Sequence, residues 1–412
     1  MHGVIESDAI VAGAGATGLA LGLALAQAGL RATIAGPPDT GAPGRTVALL
    51  DSSVQMLRNL NLWDRLAPLA QPLEVMRLFD DTGSLFSIPS VDFCARDIGL
   101  AAFGYNIANA DLVRVLAQAA AQTRGLEMVP QRIETIAPGD DAVEASCADG
   151  TLLRARLIAG ADGRHSKVRQ AAGIACRTWT YPQTALTAIL AHSRPHKNVS
   201  TEFHTREGPC TLVPLPPLPG ATQRSSLVWM MSPARAEALA GLDDAAFAAA
   251  VERQSHFLLG TNRSVAGRGR FPMGGLSASR MAANRCALVG EAAHAFPPIG
   301  AQGLNLGMRD VAALAGLAAG AHAAGGDPGA DGVLAAYGAA RARDVATRTH
   351  GVDLLNRSLL SPFLPVDFLR GAGLATLAHL PPLRRAAMRA GLHPGQLPDL
   401  MRPAANFSAG IL

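Results

Sequence analysis

An α/β fold is predicted: a Rossmann-like dinucleotide-binding domain, an inserted and mostly antiparallel β-sheet domain, and a C-terminal helical region. Three observations predict it. The chain opens with a strand, a glycine turn, a helix and a second strand in immediate succession. Residues 178–280 are rich in threonine and β-branched runs of strand length, joined by turns such as PLPPLPG. A last short strand over 285–290 then leads into long Ala-, Leu- and Arg-rich helical stretches. The expected division is a discontinuous nucleotide domain over 1–70, 100–177 and 281–345, a substrate domain over 71–99 and 178–280, and a C-terminal helical region over 346–412.

Composition narrows the function classes. The 412 residues carry 36 Lys and Arg against 32 Asp and Glu, for a formal net charge of +4. Lys167 and Lys197 are the only lysines, so the positive sign rests on arginine. No basic run is interleaved with aromatics, and aromatics are 4% of the chain, which argues against a nucleic-acid partner. Cys94, Cys147, Cys176, Cys210 and Cys286 are isolated, without CxxC spacing. Neither a disulfide framework nor a metal site is expected, and a reducing compartment fits. There is no basic region followed by an apolar signal core at the N-terminus, and no continuous apolar run of about 18 residues. A cytoplasmic protein is expected, with peripheral attachment to the inner face of the membrane left open.

Asp8 to Ala12 reads as the first strand, followed by Gly13-Ala-Gly15-Ala-Thr-Gly18 and the helical run LALGLALAQAG. Gly13 allows the turn, Gly15 lets backbone approach a pyrophosphate, and Gly18 permits close helix packing. The helix start offers free N–H groups to phosphate. The second strand, from Arg31 to Ala35, ends at Gly36-Pro37-Pro38, where an acid usually accepts from a ribose hydroxyl. Asp39 substitutes only if the loop turns back. Arg45, after Gly44, is placed over phosphate or flavin, with a plain surface cation as the alternative. The run DSSVQMLRNLNLW reads as a helix with Val54, Leu57 and Leu60 inward, and a further helix from Asp111 to Thr123 is expected to be capped by Asn109 or Asp111.

Leu153 to Ala159 reads as one strand running into Gly160-Ala-Asp162-Gly163-Arg164-His165-Ser166. At that point a carboxylate can meet a ribose or a pyrophosphate-bound water, and Asp162 can also cap the following helix. His165 is expected at the solvent edge. Between the strands of 178–280 one helix is expected, from Ala234 to His256 with a break near Leu242.

The richest segment is Val289 to Asp310, VGEAAHAFPPIGAQGLNLGMRD. Glu291 stands at a strand end, where its carboxylate can accept a ribitol or ribose hydroxyl. Pro297 and Pro298 stiffen the turn and remove donors. Gly300 and Gly303 admit a close planar ligand at the start of a helix running from Leu304 to Ala319. A heterocycle gaining negative charge there would be favoured by about 0.3–1 kcal/mol, up to about 2 kcal/mol where partly buried. His294 is a candidate acid–base group, with hydrogen bonding within the turn as the alternative.

GAGATG at 13–18, GADGRHS at 160–166 and GEAAHAFPPIGAQGLNLG at 290–307 together resemble the flavoprotein aromatic hydroxylases of the para-hydroxybenzoate hydroxylase fold. Within these the chain looks most like the ubiquinone-biosynthesis hydroxylases. GRTVALLDSS at 44–53, Arg309-Asp310 and the Tyr337 to Asp344 block extend that resemblance over nearly the whole chain. It departs from the usual pattern at Glu291, where relatives carry Asp, and at Gly36. The resemblance implies bound FAD, NADH or NADPH as cosubstrate, and O2 as the source of an oxygen atom passed to a phenolic ring. It implies cofactor contacts from Gly13, Gly15, Gly18, Arg45, Asp162, Gly163, Glu291, Pro298, Gly300, Gly303, Leu304 and Asn305. Pro298, Gly303 and His294 are the residues placed nearest the chemistry, although the hard step belongs to the cofactor.

Beyond a helix from Gly332 to about Asn356, the run SLLSPFLPVDFLRGAGLATLAHLPPLRRAAMRAGL sets Phe363, Leu364, Val366, Phe368, Leu369, Leu374, Leu377 and Leu380 beside Arg370, Arg384, Arg385 and Arg389. It either docks on the protein itself or on a partner subunit, or lies along a membrane interface. A polyprenylated phenol leaves a bilayer only at about 0.8 kcal/mol per CH2, so a lipophilic substrate predicts such a surface. Contact with other quinone-biosynthesis proteins is a further expectation. Alternatives are a flavin hydroxylase of a soluble aromatic or polycyclic natural product, and a non-catalytic scaffold subunit of a lipid-enzyme assembly.

Overall fold

The computed structural model describes residues 3–41, 44–83, 90–297, 302–360, 376, 377, 379–392 and 397–403. Its centre is a six-stranded sheet in the order Ala282–Ala283, Cys286–Leu288, Leu157–Gly160, Ala9–Ala14, Ala32–Pro38, Leu126–Val129. From Cys286–Leu288 onward every neighbouring pair is parallel. Parallel strands covered on both faces should be apolar at every position, and Ala9, Ile10 and Val11 are fully buried. The Ala16–Gln27 helix follows after Gly15 alone. It is apolar nearly all round because it packs against the sheet and against the Asn109–Gln122 and Gln302–Ala323 helices.

A second, eight-stranded sheet runs His294–Ala295, Asn262–Ala278, Cys176–His192, Arg224–Met231, Gly208–Leu215, Val199–Thr205, Val75–Asp80, Val91–Cys94. All its pairings are antiparallel except that between Val199–Thr205 and Val75–Asp80. The Pro233–Ala240 and Asp244–Gln254 helices lie between its strands in sequence, broken at 241–243 as the glycine and acids there predict. A four-stranded sheet (Val4–Glu6, Leu152–Ala155, Val143–Cys147, Ile133–Pro138) and a three-stranded one (Thr46–Leu50, Gly104–Ala108, Ala70–Pro72) complete the β structure among the described residues.

Three local expectations are corrected. Leu153 to Ala159 is two strands in different sheets, Leu152–Ala155 and Leu157–Gly160. Arg156 separates them because its guanidinium turns to Asp8 at 3.1 Å while its carbonyl accepts from Arg285 Nη1 at 3.0 Å. The Asn109–Gln122 helix has Ala108 at its N-cap and no side-chain cap. Asn109 instead donates Nδ2 to the Thr40 carbonyl at 2.7 Å, and Asp111 pairs with Arg114. His294 is not within a free turn: with Ala295 it forms a two-residue strand against Leu276 and Ser277. That pairing ties the Val289–Pro297 segment to the eight-stranded sheet.

In the C-terminal region the helix Asp331–Leu360 is longer than expected, and a second helix spans Pro381–Leu392. Phe363, Leu364, Val366, Phe368, Leu369, Arg370 and Leu374 lie outside the described residues. Met388 and Leu392 pack with Leu50, Ala95 and Phe103, so this second helix docks on its own protein through one side. Its other side leaves Leu383 half exposed and Arg385 and Arg389 in solvent.

Tyr337 joins the long helix to the central sheet, donating its hydroxyl to the Leu288 carbonyl at 2.7 Å in full burial. Tyr337→Phe should lower the free energy of unfolding by about 1 kcal/mol, because a buried carbonyl loses its donor. Urea denaturation measures this, and an unchanged midpoint would show that the bond contributes nothing.

Candidate functional site

The glycine turn separates two kinds of constraint. A Cβ on Gly13 would lie 2.4 Å from the Ala161 carbonyl oxygen, and one on Gly18 only 1.9 Å from that of Gly13. These positions are closed by the protein's own backbone, and Gly13 also adopts φ +105°. Gly15 differs. It has ordinary extended dihedrals (φ −75°, ψ 179°), and a Cβ there would meet nothing within 4 Å. Gly15 is also the N-cap of a helix with no side-chain cap and no acid in its first turn. The first N–H groups of that helix have no intrahelical acceptor, and the open surface at Gly15 leaves them approachable. A pyrophosphate fits there.

Gly36, at the end of the neighbouring strand, has φ +135° and is buried. A Cβ at this position would touch the Gly13 and Ala14 backbone at 3.5 Å. An acid at residue 36 would therefore be aimed at the glycine turn but held in a strained backbone. The loop does turn back at Asp39, whose N–H donates to the Ala14 carbonyl at 3.2 Å, and its exposed carboxylate accepts from Gly41 N at 2.9 Å.

Residues from the other two motifs arrive beside this turn. The Glu291 carboxylate meets Arg45 at 3.6 Å and Arg164 at 3.4 Å. All three are 40–51% exposed, so the pairs add little stability, about 0–1 kcal/mol. Their value is placement. Asp162 accepts Lys167 N at 2.7 Å and Val168 N at 3.3 Å through Oδ2, while Oδ1 is buried with no partner among the described residues. An acceptor beside the glycine turn is thus unspent. Gly163 takes φ +76° with open space where a side chain would stand. Ser166 caps the next helix by accepting Arg169 N at 3.0 Å.

The helix Gln302–Ala323 follows the Val289–Pro297 segment in the chain. Pro298 and Gly300 lie outside the described residues. Gly303 is exposed with open space around it, and Leu304 is half-buried. Asn305 is fully buried and its side chain is committed to the protein. Its Oδ1 accepts Leu50 N at 2.8 Å and the Ser53 hydroxyl at 2.7 Å, and Nδ2 donates to the Ala48 carbonyl at 2.8 Å. Asn305 therefore pins the helix start to the Thr46–Leu50 strand, and contact with a ligand falls to its backbone.

His294 is buried, with Nε2 at 2.6 Å from Asp310 Oδ2. Asp310 is fully buried as well, accepts Gly290 N at 2.9 Å on the same oxygen, and receives Arg341 Nε at 2.7 Å on the other. Burial alone would raise the Asp310 pKa, but His294, Arg341 and the Gly290 N–H hold it below the ordinary carboxylate value. The chain continues from Arg341 to Asp344 at 2.9 Å, from Asp344 to Arg309 and Arg348, and from Arg348 Nη1 to Gln302 Oε1 at 2.6 Å. It closes a loop from Gly290 round to Gln302.

The sequence alone assigns no role to Arg164, Arg169 or Arg348. Arg169 donates to the Ala292 and Arg164 carbonyls, both at 2.8 Å, and so locks the second motif to the third. The detectable signal was charge inside apolar context. Arg309-Asp310 interrupts a helix whose neighbours are Leu, Met, Val and Ala, and such charges persist only when paired.

Residues 6–350 match the FAD binding domain family. The chain is 34% identical over 394 residues to the ubiquinone hydroxylase UbiL of Rhodospirillum rubrum, covering 93% of this chain and 89% of that protein. It is 31% identical over 396 residues to the 3-demethoxyubiquinol 3-hydroxylase of Escherichia coli, covering 94% and 98%. Among solved structures it is similar to the p-nitrophenol 4-monooxygenase PnpA of Pseudomonas putida DLL-E4, with a TM-score of 0.74 at 20% identity over 94% of this chain and 97% of that one, a likeness of fold.

Two outcomes test the site. Gly15→Val should fold with near-normal thermal stability but lose FAD affinity by at least about tenfold, since only the pyrophosphate needs that space; flavin fluorescence titration reads this, and undiminished binding would place the dinucleotide elsewhere. Asp310→Asn should cost about 3–5 kcal/mol at neutral pH, because the buried Arg341 loses one of its two carboxylates and keeps only Asp344. Because the folded pKa of Asp310 lies below its unfolded value, its stabilisation is present above the unfolded pKa and lost as pH falls through the folded one, below about pH 4. Urea unfolding at a series of pH values should show that acid-sensitive contribution in the wild type and not in the variant.

The open cradle at Gly15, the unspent acceptor on Asp162 and these similarities lead to one conclusion: the chain belongs to the FAD binding domain family of flavoprotein monooxygenases, with FAD as its cofactor.

Proposed function

We propose that this protein uses NAD(P)H and O2 to hydroxylate the ring of a polyprenylated phenol in ubiquinone biosynthesis. The observation that carries the substrate class is the similarity to a ubiquinone hydroxylase over 93% of the chain. FAD, when bound, accepts the hydride and activates O2. The residues described here bind it, orient it and keep water away.

In this reading Gly13, Gly15 and Gly18 form the pyrophosphate bed at the Ala16–Gln27 helix. Arg45, Arg164 and Glu291 form a charged gate beside it, with Asp162 and Gly163 against the ribityl side. Gly303, Leu304 and the Asn305 backbone stand against the ring. His294 acts as an anchor, since its imidazole is buried against Asp310 and ties the ring-bearing segment to the Gln302–Ala323 helix. Tyr181, Met230, Met273 and Phe296 share one apolar core with the nucleotide domain, and the substrate ring is assigned to that side of the sheet.

A lipophilic substrate fits the C-terminal region. No described helix is long and apolar enough to cross a membrane. Leu354, Leu380 and Leu383 are 71%, 48% and 50% exposed, and Arg385 and Arg389 are in solvent nearby in sequence. In our reading this surface rests against the inner face of the membrane, or against other quinone-biosynthesis proteins, while the substrate tail stays in lipid.

The test is a product assay in membranes supplied with a series of prenylated precursors, with mass spectrometry locating a new hydroxyl. A product one oxygen atom heavier, dependent on NAD(P)H and O2, is expected from a prenylated phenol. Turnover of soluble phenols alone would move the substrate to another class.

A further inference from the structure

The buried ion chain does not balance. Arg309, Arg341 and Arg348 are opposed by Asp310 and Asp344, with side chains 0–11% exposed throughout, so at least one cation is in excess among the described residues. The excess falls on Arg348. Asp310 is matched by Arg341 at 2.7 Å, and Asp344 is held by Arg341 at 2.9 Å and Arg309 at 3.3 Å, whereas Arg348 Nε stands 3.6 Å from Asp344. Its strongest bond is to a neutral group, the Gln302 amide oxygen. Arg348 Nη2 is buried without an acceptor among the described residues, as are Arg341 Nη2 and Arg309 Nε. Burial and the neighbouring Arg309 push the Arg348 pKa down to about 10, which still leaves it charged at neutral pH.

The position of this cation gives it a use. Gln302 is the first residue of the Gln302–Ala323 helix, whose N-terminal end already carries positive dipole charge. Gly303, next to it, opens onto space a side chain would fill. A charge in a dry interior acts over longer range than one in water, because little solvent screens it. Flavin reduction takes up two electrons and one proton, so the reduced ring carries one added negative charge. A fixed cation behind the ring favours that form.

We propose that Arg348 is a positioning residue which, through Gln302, raises the reduction potential of the bound flavin. This rests on the reading that the flavin ring lies at the start of the Gln302–Ala323 helix. It assigns a task to a charge that its own ion pairing does not explain.

The experiment is a dye-equilibrated spectroscopic redox titration of purified holoprotein, comparing wild type with Arg348→Met, Arg348→Lys and Gln302→Glu. Arg348→Met and Gln302→Glu should each lower the ratio of reduced to oxidised flavin at fixed potential by about tenfold, equal to about 30 mV for a two-electron couple. Arg348→Lys, which keeps the charge, should stay near wild type. An Arg348→Met ratio within about twofold of wild type overturns the proposal, and so does an Arg348→Lys value as low as that of Arg348→Met. Should Arg348→Met not fold, Gln302→Glu decides, and an unchanged ratio there is equally fatal. Failure of the underlying reading shows differently: wild-type protein would take up no flavin, or Gly15→Val would bind it undiminished.

Discussion

The Asp310 carboxylate is the contact on which the rest of the site depends. It is fully buried, yet it accepts from Gly290 N, faces His294 and receives Arg341, three groups from three segments of the chain. Moving such ions out of water costs several kcal/mol each, and an apolar cluster of equal volume would often be as stable. An apolar cluster would not, however, dictate one register. Gly290 opens the short 3-10 turn after the last parallel strand, His294 begins a strand of the other sheet, and Arg341 lies on the long C-terminal helix. One carboxylate with directional bonds to all three sets the relative placement of two sheets and a helix.

The close packing of helices around this anchor depends on small residues where charge cannot help. Gly307 approaches Gly290 so nearly that a Cβ would stand 3.2 Å from the Gly290 Cα and 3.3 Å from the Thr17 hydroxyl. The Ala16–Gln27 and Gln302–Ala323 helices therefore cross where the glycine turn and the strand-end turn both stand. Two helix N-termini are delivered to one region, and the first N–H groups of each lie beyond the reach of its intrahelical carbonyls. The chemistry of an extended dinucleotide, with phosphate at one end and an electron-accepting ring at the other, is complementary to that pair of positive ends.

The long C-terminal helix connects this arrangement to the eight-stranded sheet. Beyond the ion chain, Asp353 receives the Tyr181 hydroxyl at 2.5 Å and Asn356 donates to Gln183 at 2.9 Å, both partners lying on the Cys176–His192 strand. Trp179 Nε1 donates to the same tyrosine at 2.7 Å. One helix thus contacts Asp310 and Gln302 through Arg341 and Arg348, and the Cys176–His192 strand through Asp353 and Asn356. The long helix is thereby bonded both to the Gln302–Ala323 helix and to the eight-stranded sheet.

Much of this was legible in the sequence. Strand, turn and helix types in the nucleotide domain follow from short-range pattern: apolar runs of strand length, glycines where backbone approaches backbone, and a helix apolar on every side. The three glycine-bearing motifs could be named as cofactor turns for the same reason. What the sequence could not decide was which charges meet. Glu291 finds Arg164 from 127 residues away, Asp310 finds Arg341 from 31 away, and Asn305 turns to Leu50 from 255 away. Asn109, which looked like a helix cap, is drawn to the Thr40 carbonyl, and the apparent strand Leu153 to Ala159 is divided between two sheets by the pull of Asp8 on Arg156. Local conformation is governed by φ, ψ and hydrophobic period, which a linear chain displays. The pairing of buried charges is governed by distance in space, and only the packed fold sets that.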